Sequence, residues 1–109
     1  MNTSVNKIND IKKFIDEHIT EDLSLDLVAA EFGISKHYLC HLFKRNTGYT
    51  VLQYIKRKRF CLAKEYFISG MSLIDAAMLA GFRSYSNFYR AYFNEFGKAP
   101  SKYMNVSEF

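Results

Sequence analysis

The sequence predicts an all-α protein of seven helices, in which two similar helical units lie on either side of one long helix. Apolar residues recur every three or four positions and never sustain the period-2 alternation of a strand. Glycines interrupt this pattern at intervals and predict where the helices end. The five glycines are Gly33, Gly48, Gly70, Gly81 and Gly97. A third observation, an internal repeat, predicts the two similar units.

Each predicted helix rests on apolar spacing or on a start or stop signal. The first helix is predicted from the spacing of four isoleucines: Ile8, Ile11, Ile15 and Ile19. Three serines are predicted N-caps: Ser24, Ser35 and Ser84. Two residue pairs form predicted capping boxes: Thr50 with Gln53, and Ser72 with Asp75. Pro100 is a favourable first residue for the last helix. The predicted helices are 5–19, 25–32, 36–46, 51–69, 73–80, 84–96 and a short one from Pro100.

The internal repeat relates residues 23–34, "LSLDLVAAEFGI", to residues 71–82, "MSLIDAAMLAGF". The offset is 48 up to the glycine and 49 after it, so the second copy has one extra turn residue. Equivalent pairs include Ser24 and Ser72, Ala29 and Ala77, Gly33 and Gly81, Leu39 and Phe88, and Gly48 and Gly97. The chain therefore contains a two-helix unit twice.

The first copy has the pattern of a helix-turn-helix. Such a motif needs a small residue where its helices cross, and Ala29 supplies it. It needs a residue that tolerates the turn, and Gly33 supplies that. Leu39 and Leu42 are the apolar residues expected on the inner face of the second helix. Two copies in one short chain make the match more specific than a single αα-hairpin.

The net charge of +4 conceals an uneven distribution. Residues 1–35 carry a net charge of −4, and residues 65–109 are neutral. Residues 36–64 contain eight Lys or Arg and no acidic residue, including "KRKR" at 56–59. A basic block within a folded domain indicates a polyanionic partner. A solvated helix face is the alternative explanation for charge runs of this kind.

The chain resembles the DNA-binding domain of the AraC/XylS family of bacterial transcription regulators. "GFRSYSNFYRAYFNEFGKAPSKY" is similar to the family's C-terminal signature, and "QYIKRKRFCLAKEYF" is similar to its linker helix. The resemblance implies one DNA-binding domain made of two helix-turn-helix subdomains, 1–49 and 71–109, joined by a linker helix at 50–70. It also implies a transcription regulator, most commonly an activator, that binds double-stranded DNA and contacts RNA polymerase.

The predicted linker helix, 51–69, would span about 28 Å at 1.5 Å per residue. Recognition helices near its two ends would be separated by nearly one turn of B-DNA, about 34 Å. One chain would then enter two successive major grooves with helices 36–46 and 85–96, and its site would be asymmetric.

Helical phase separates the faces of the recognition helices. In the first recognition helix, 36–46, the residues Leu39, Leu42 and Phe43 face inward. The opposite face of this helix carries His37, Cys40, His41 and Lys44. The repeat maps this face onto Ser86, Tyr89, Arg90 and Phe93. We predict base contacts from seven of these residues: His37, Cys40, His41, Lys44, Ser86, Tyr89 and Arg90.

Other roles remain open for two residues of the second recognition helix. Arg90 suits guanine, and its alternative is an ion pair with Glu95 or another acidic residue. Phe93 departs from the family, where a basic residue is usual; it would contact a methyl group or sugar, or pack inward.

Phosphate contacts are predicted from basic side chains and from two helix N-termini: Lys36, Arg45, Lys56, Arg57, Lys58, Ser35 and Ser84. Eight aromatic residues lie between Phe82 and Tyr103. A small aromatic core is expected there, and a stacking surface for single strands is the alternative.

Two further functions are considered. His37, Cys40 and His41 have a spacing that permits convergence on one zinc ion, although a structural site usually has four ligands. The second further function is a helical module that binds only proteins. An enzyme is not expected, because no nucleophile–base set, paired carboxylates or phosphate loop occurs. We expect no cofactor and no bound metal.

The remaining expectations concern the cellular setting. The two cysteines, Cys40 and Cys61, favour a reducing compartment, and neither a signal peptide nor a membrane span is expected. We expect a cytoplasmic, nucleoid-associated bacterial protein. Many family members carry an effector or dimerisation domain ahead of this one. The chain is accordingly expected to be either a standalone regulator or part of a longer protein. We expect a monomer as this domain, with an effector domain as the route to a dimer.

Overall fold

The structure, a computed structural model, describes residues 3–100. Within that range it has six α-helices and no strand, which confirms the all-α class. The helices are α1 (Thr3–Glu17), α2 (Leu25–Glu31), α3 (Lys36–Thr47), α4 (Val51–Ile68), α5 (Leu73–Leu79) and α6 (Tyr85–Phe96). The count of seven is thus wrong for these residues, and the helix predicted from Pro100 lies outside them. None of the six is long and apolar enough to cross a membrane.

The predicted helix bounds agree with the structure to within two residues. The largest difference is at α1, which begins and ends two residues earlier than 5–19. His18 is already in the turn after α1, where its imidazole Nδ1 lies 2.8 Å from the Glu21 carboxylate. The amide of Glu21 donates to the carbonyl of His18 at 2.9 Å, so the chain reverses before Ile19 can extend the helix.

Side-chain caps fix the starts of five helices. The N-cap serine hydroxyls each accept a hydrogen bond, at 3.0–3.1 Å, from the amide three residues on: Ser24, Ser35, Ser72 and Ser84. Thr50 and Gln53 form the reciprocal capping box, with bonds of 2.9 and 3.0 Å. These bonds satisfy amides that have no partner within the helix. The predicted serine N-caps and the Thr50–Gln53 capping box are confirmed, whereas Ser72 and Asp75 form only the serine half of the predicted box.

The turn between α2 and α3 is closed by backbone hydrogen bonds around Gly33. The amide of Gly33 donates to the carbonyl of Ala30, and that of Ile34 donates to Ala29, at 3.2 and 3.1 Å. This pair of bonds is the Schellman motif, whose central residue takes a left-handed conformation that favours glycine. Gly33 has φ +64°. Residues 77–82 repeat the arrangement between α5 and α6, with Gly81 at φ +109°.

The chain divides into two compact units, with the division between Ile55 and Lys56 inside α4. In the first unit, α1 and α2 both pack against α3. Its core is mainly aliphatic, with α1 isoleucines, Val28 and Leu39 buried, and Phe43 meeting Tyr54 edge to face at 5.4 Å. The Tyr54 hydroxyl donates to the Asp16 carboxylate at 3.0 Å and connects α4 to α1.

The second unit has an aromatic core, in which α5 packs against α6. Phe60 is its centre, with ring centroids 5.3–6.0 Å from those of four neighbours: Phe82, Phe88, Tyr92 and Phe96. Three small residues of the same core, Ala63, Ala77 and Ala80, are fully buried. The predicted aromatic core is confirmed for Phe82, Phe88, Tyr92 and the partly buried Tyr85 and Phe96. Tyr89 and Phe93 are exposed and do not belong to it. Tyr103 lies outside the described residues.

Substitutions at two adjacent alanines of α2 test whether its close crossing with α3 requires a small residue. Ala29 is buried, whereas Ala30 is exposed. We expect Ala29→Leu to lower the free energy of unfolding by about 1–3 kcal/mol, because the larger side chain overpacks the crossing. Ala30→Leu should change it by less than about 0.5 kcal/mol. Urea denaturation followed by circular dichroism measures both, and equal effects would refute a packing constraint specific to position 29.

The Tyr54 hydroxyl makes the first unit sensitive to alkaline pH. Burial, followed by the hydrogen bond to Asp16 and its negative charge, raises the pKa of Tyr54 well above its ordinary value. Folded Tyr54 therefore stays neutral at a pH where the unfolded chain ionises, above about 10. Its stabilising contribution is complete below that pH and decreases as the pH rises further.

We therefore expect Tyr54→Phe to lower the free energy of unfolding at neutral pH by about 1 kcal/mol. The difference from the wild-type protein should shrink as the pH rises above about 10. Chemical denaturation across pH 7–11, a range set by the ordinary tyrosine pKa of about 10, measures this. Tyr38→Phe is the control, since the Tyr38 side chain is 48% exposed. A pH-independent difference between Tyr54→Phe and the wild type would contradict the argument.

Candidate nucleic-acid interface

The first candidate surface is the outward face of α3. Leu39, Leu42 and Phe43 are buried against α1 and α2, which leaves the opposite side of the helix towards solvent. That side carries the four predicted contact residues of this helix, of which three are exposed and Cys40 is half-buried: His37, Cys40, His41 and Lys44. The helical phase predicted from the sequence is thus the phase that the structure has.

These four side chains line an open depression of about 530 Å³, together with Arg45 and with Thr50, which precedes α4. The rings of His37 and His41 stack, with centroids 5.6 Å apart. Lys44 donates from its ammonium to the carbonyl of Gly48 at 3.0 Å, so it also caps the C-terminus of α3. The surface offers imidazole nitrogens and cations and has no acidic residue, a combination suited to phosphates and base edges.

No group of three or more His, Cys, Asp and Glu side chains that could hold a metal ion occurs among residues 3–100. His37, Cys40 and His41 share a face without forming such a cluster. Cys40 and Cys61 are both free thiols.

The second candidate surface is the outward face of α6. Phe88 and Tyr92 point into the aromatic core and are almost completely buried. Ser86, Tyr89, Arg90 and Phe93 are exposed on the helix. Three of the exposed α6 residues and Asn94 line an open depression of about 300 Å³: Tyr89, Arg90, Phe93 and Asn94. Under the repeat, these four correspond to Cys40, His41, Lys44 and Arg45, which line the depression on α3.

The contacts of Arg90 differ from the ion pair considered from the sequence. Its guanidinium donates to the side-chain oxygen of Asn87 at 2.6 Å, one helical turn earlier. Glu95, the acid considered for it, instead pairs with Arg57. The Arg90–Glu95 interpretation is therefore wrong, because Glu95 is engaged with α4. Asn87 was missed as a functional candidate, although its spacing of three from Arg90 on one helix was visible in the sequence.

The predicted phosphate-contacting residues are five exposed basic residues and two serines. The basic residues include Arg45, Lys56 and Lys58. Lys36 lies 3.5 Å from the exposed carboxylate of Asp26, and Arg57 donates to Glu95. The hydroxyls of Ser35 and Ser84 already accept from backbone amides. Ser35 and Ser84 therefore stabilise the N-termini of α3 and α6.

Comparison with known proteins places these features in a family. A sequence profile described as a helix-turn-helix domain matches residues 28–105. Regulatory protein SoxS of Escherichia coli K12 is 37% identical over 97 residues, covering 88% of this chain and 91% of SoxS. Transcriptional regulator Rob of Salmonella typhimurium is 33% identical over 102 residues, covering 93% of this chain and 35% of Rob.

This chain belongs to the AraC-type helix-turn-helix family. The resemblance found in the sequence is thus confirmed. The predicted function is also confirmed: this chain is a sequence-specific DNA-binding transcription regulator. The DNA-binding domain of the global transcriptional factor AdpA, solved in complex with a target DNA, has a similar fold, with a TM-score of 0.76. It is 23% identical and 85% of each chain is covered, so this likeness concerns the fold of the AraC-type domain alone.

The Arg57–Glu95 pair gives a test of whether Arg57, in the basic segment 36–64, contacts DNA phosphates. Glu95→Gln removes the carboxylate that pairs with Arg57, and we expect the free energy of unfolding to fall by less than about 1 kcal/mol, because the pair is partly exposed. Affinity for a random-sequence duplex should rise several-fold at low salt, since this carboxylate no longer competes with phosphates for the Arg57 guanidinium. Fluorescence anisotropy of a labelled duplex measures the affinity.

The matched control is Glu65→Gln, which removes the same charge from an exposed α4 residue. The Glu65 carboxylate has no ion pair within the described part of the chain. If both variants gain affinity equally, the effect is due to net charge, and Arg57 has no particular role.

Proposed function

We propose that this regulator activates transcription by inserting α3 and α6 into two major grooves of one DNA site. The observation that carries the proposal is the shared arrangement of the two helices. Each is anchored by buried residues on one face, and each presents the predicted contact residues around a depression on the other. Because the two helix-turn-helix units differ in sequence, the site is asymmetric. We propose half-sites one helical turn apart, about 10 base pairs.

In the first unit, we assign base recognition to His37, His41 and Lys44. Imidazole nitrogens donate or accept according to tautomer, and both histidines are exposed on α3. Lys44 is a donor for guanine or phosphate, and DNA would compete with the Gly48 carbonyl for its ammonium. Cys40 contributes van der Waals contact, since a thiol is a weak hydrogen-bonding group.

In the second unit, we assign guanine recognition to Arg90. Its planar fork matches the O6 and N7 acceptors of guanine in the major groove. The bond to Asn87 occupies one edge of the guanidinium and restricts its rotamers before DNA binds, while other N–H groups stay available. Ser86 and Tyr89 lie on the same exposed face and complete the set of predicted base contacts.

Phosphate contacts position the helices on the duplex. We assign them to exposed cations around α3 and along α4, and to the N-termini of α3 and α6: Lys36, Arg45, Lys56, Arg57, Lys58, Ser35 and Ser84. Backbone amides at a helix N-terminus favour a phosphate, and the serine caps hold those termini in place. Lys36 and Arg57 would exchange a carboxylate partner for a phosphate.

The remaining proposals concern organisation and partners. We propose subdomains at 1–49 and 71–109, a linker helix at 50–70, and a seventh helix from Pro100. The partners are double-stranded DNA and RNA polymerase, in the bacterial cytoplasm and nucleoid. The domain acts as a monomer, and dimerisation would require a separate effector domain.

Substitutions in the two recognition helices test the assignment. Arg90→Ala should weaken binding to a selected site by about 1–3 kcal/mol and relax base preference at one position, because a bidentate guanine contact is lost. His41→Ala should weaken recognition of the other half-site. Lys56→Ala should weaken all duplexes alike and reduce the salt dependence by about one counterion.

The measurement is a salt titration with duplexes enriched from a random library. Lys13→Ala is the control, since it removes a positive charge from an exposed position of α1. If Arg90→Ala and His41→Ala leave specific affinity unchanged, the assigned contact residues are wrong. If no sequence is enriched at all, the proposal of sequence-specific activation fails.

A further inference from the structure

The second recognition helix exposes two large aromatic side chains that the fold does not require. Tyr89 is 41% exposed and Phe93 is 50% exposed, whereas the core positions of α6 are already filled by Phe88 and Tyr92. Phe93 is one helical turn beyond Tyr89, so both rings lie on one side of α6. The surface of Phe93 that stays exposed gains nothing from folding, and a partner that covers it would gain the free energy of its burial.

The repeat indicates what kind of partner covers these rings. Tyr89 and Phe93 occupy the places that Cys40 and Lys44 have on α3, and both pairs line a depression on the outward face of the helix. The two faces thus have the same position on the motif but different chemistry. On α3 the lining is imidazole, thiol and cation, and on α6 it is two rings beside one guanidinium and one amide.

We call the surface formed by Tyr89, Arg90, Phe93 and Asn94 the aromatic cleft. Arg90 contributes the only charge among its four lining residues, and Asn87 holds the guanidinium at 2.6 Å. A ligand of this cleft therefore needs a hydrogen-bond acceptor for Arg90 and an apolar group close to it. In the major groove, guanine O6 and N7 are the acceptors that match arginine, and the thymine 5-methyl is the apolar group at a base edge.

We propose that the aromatic cleft recognises a guanine with a thymine at a neighbouring step, and that Phe93 determines the thymine by contact with its 5-methyl group. The inference rests on the proposed insertion of α6 into the major groove and adds the chemistry of that half-site. Tyr89 forms the second wall of the methyl pocket. Phe93 thus provides an apolar contact that distinguishes bases at the place where α3 has a cation, Lys44.

The test uses duplexes enriched from a random library by the wild-type protein. Thymidine is then replaced by deoxyuridine at single positions, which removes the methyl group and leaves base pairing intact. We expect one such replacement in the half-site of α6 to weaken binding about 3- to 5-fold, as for the loss of one buried methyl group. Phe93→Ala should bind the thymidine duplex about as weakly as the wild type binds the deoxyuridine duplex, and should no longer distinguish the two.

Two variants serve as controls. Phe93→Leu keeps an apolar side chain at the same place and should preserve the preference for thymidine. Ile74→Ala removes an apolar side chain of α5 that is 55% exposed and does not line the aromatic cleft. It should leave the affinities for both duplexes unchanged. Circular dichroism checks that each variant is folded.

Several results would overturn the inference. Equal affinity of the wild type for every thymidine and deoxyuridine duplex excludes methyl recognition while leaving sequence-specific binding intact. If Phe93→Ala weakens both duplexes equally, Phe93 contacts sugar or phosphate instead. If Phe93→Ala changes only the mass measured by light scattering, the aromatic cleft binds a second protein copy. A library without enrichment refutes the proposed function itself, and the inference with it.

Discussion

The turn at Gly33, and its counterpart at Gly81, is the constraint on which both helix-turn-helix units depend. In each turn a backbone amide just beyond the glycine donates to the carbonyl of a buried alanine, Ala29 or Ala77, at 3.1–3.2 Å. The bond forms only when the glycine adopts positive φ, which a side chain would disfavour by about 1–2 kcal/mol. The same alanine lets the next helix pass closely. One short segment therefore sets both the direction and the distance of the recognition helix.

Once the turn is fixed, the inward residues of α3 and α6 decide which residues face outward. Leu39 and Phe43 in the first unit, and Phe88 and Tyr92 in the second, are completely or almost completely buried. A rotation of either helix would expose a large side chain and forfeit about 1.5–3 kcal/mol for each residue that leaves the core. The outward face is thus specified by what is buried behind it. The contact residues can then vary without changing the phase of the helix.

The sequence predicted the local features of the fold well, because they depend on residues three or four positions apart. Caps such as Ser35 and the phase of α3 belong to this class. Contacts between distant residues were not predictable in the same way. Asp16 and Tyr54, like Arg57 and Glu95, are 38 positions apart, and their pairing depends on which helices meet. The helix count was also wrong for residues 3–100, which have six helices, and the seventh helix, predicted from Pro100, falls outside the described residues.

The candidate site shows the same limit at the level of single residues. Helical phase placed Phe93 on the outward face, but the residue type favours burial, and the pattern alone left both outcomes open. The packing of the second unit decides between them. Three of the four rings around Phe60 come from the inward face of α6: Phe88, Tyr92 and Phe96. With these residues inward, the phase of α6 leaves Phe93 outward, where it is 50% exposed.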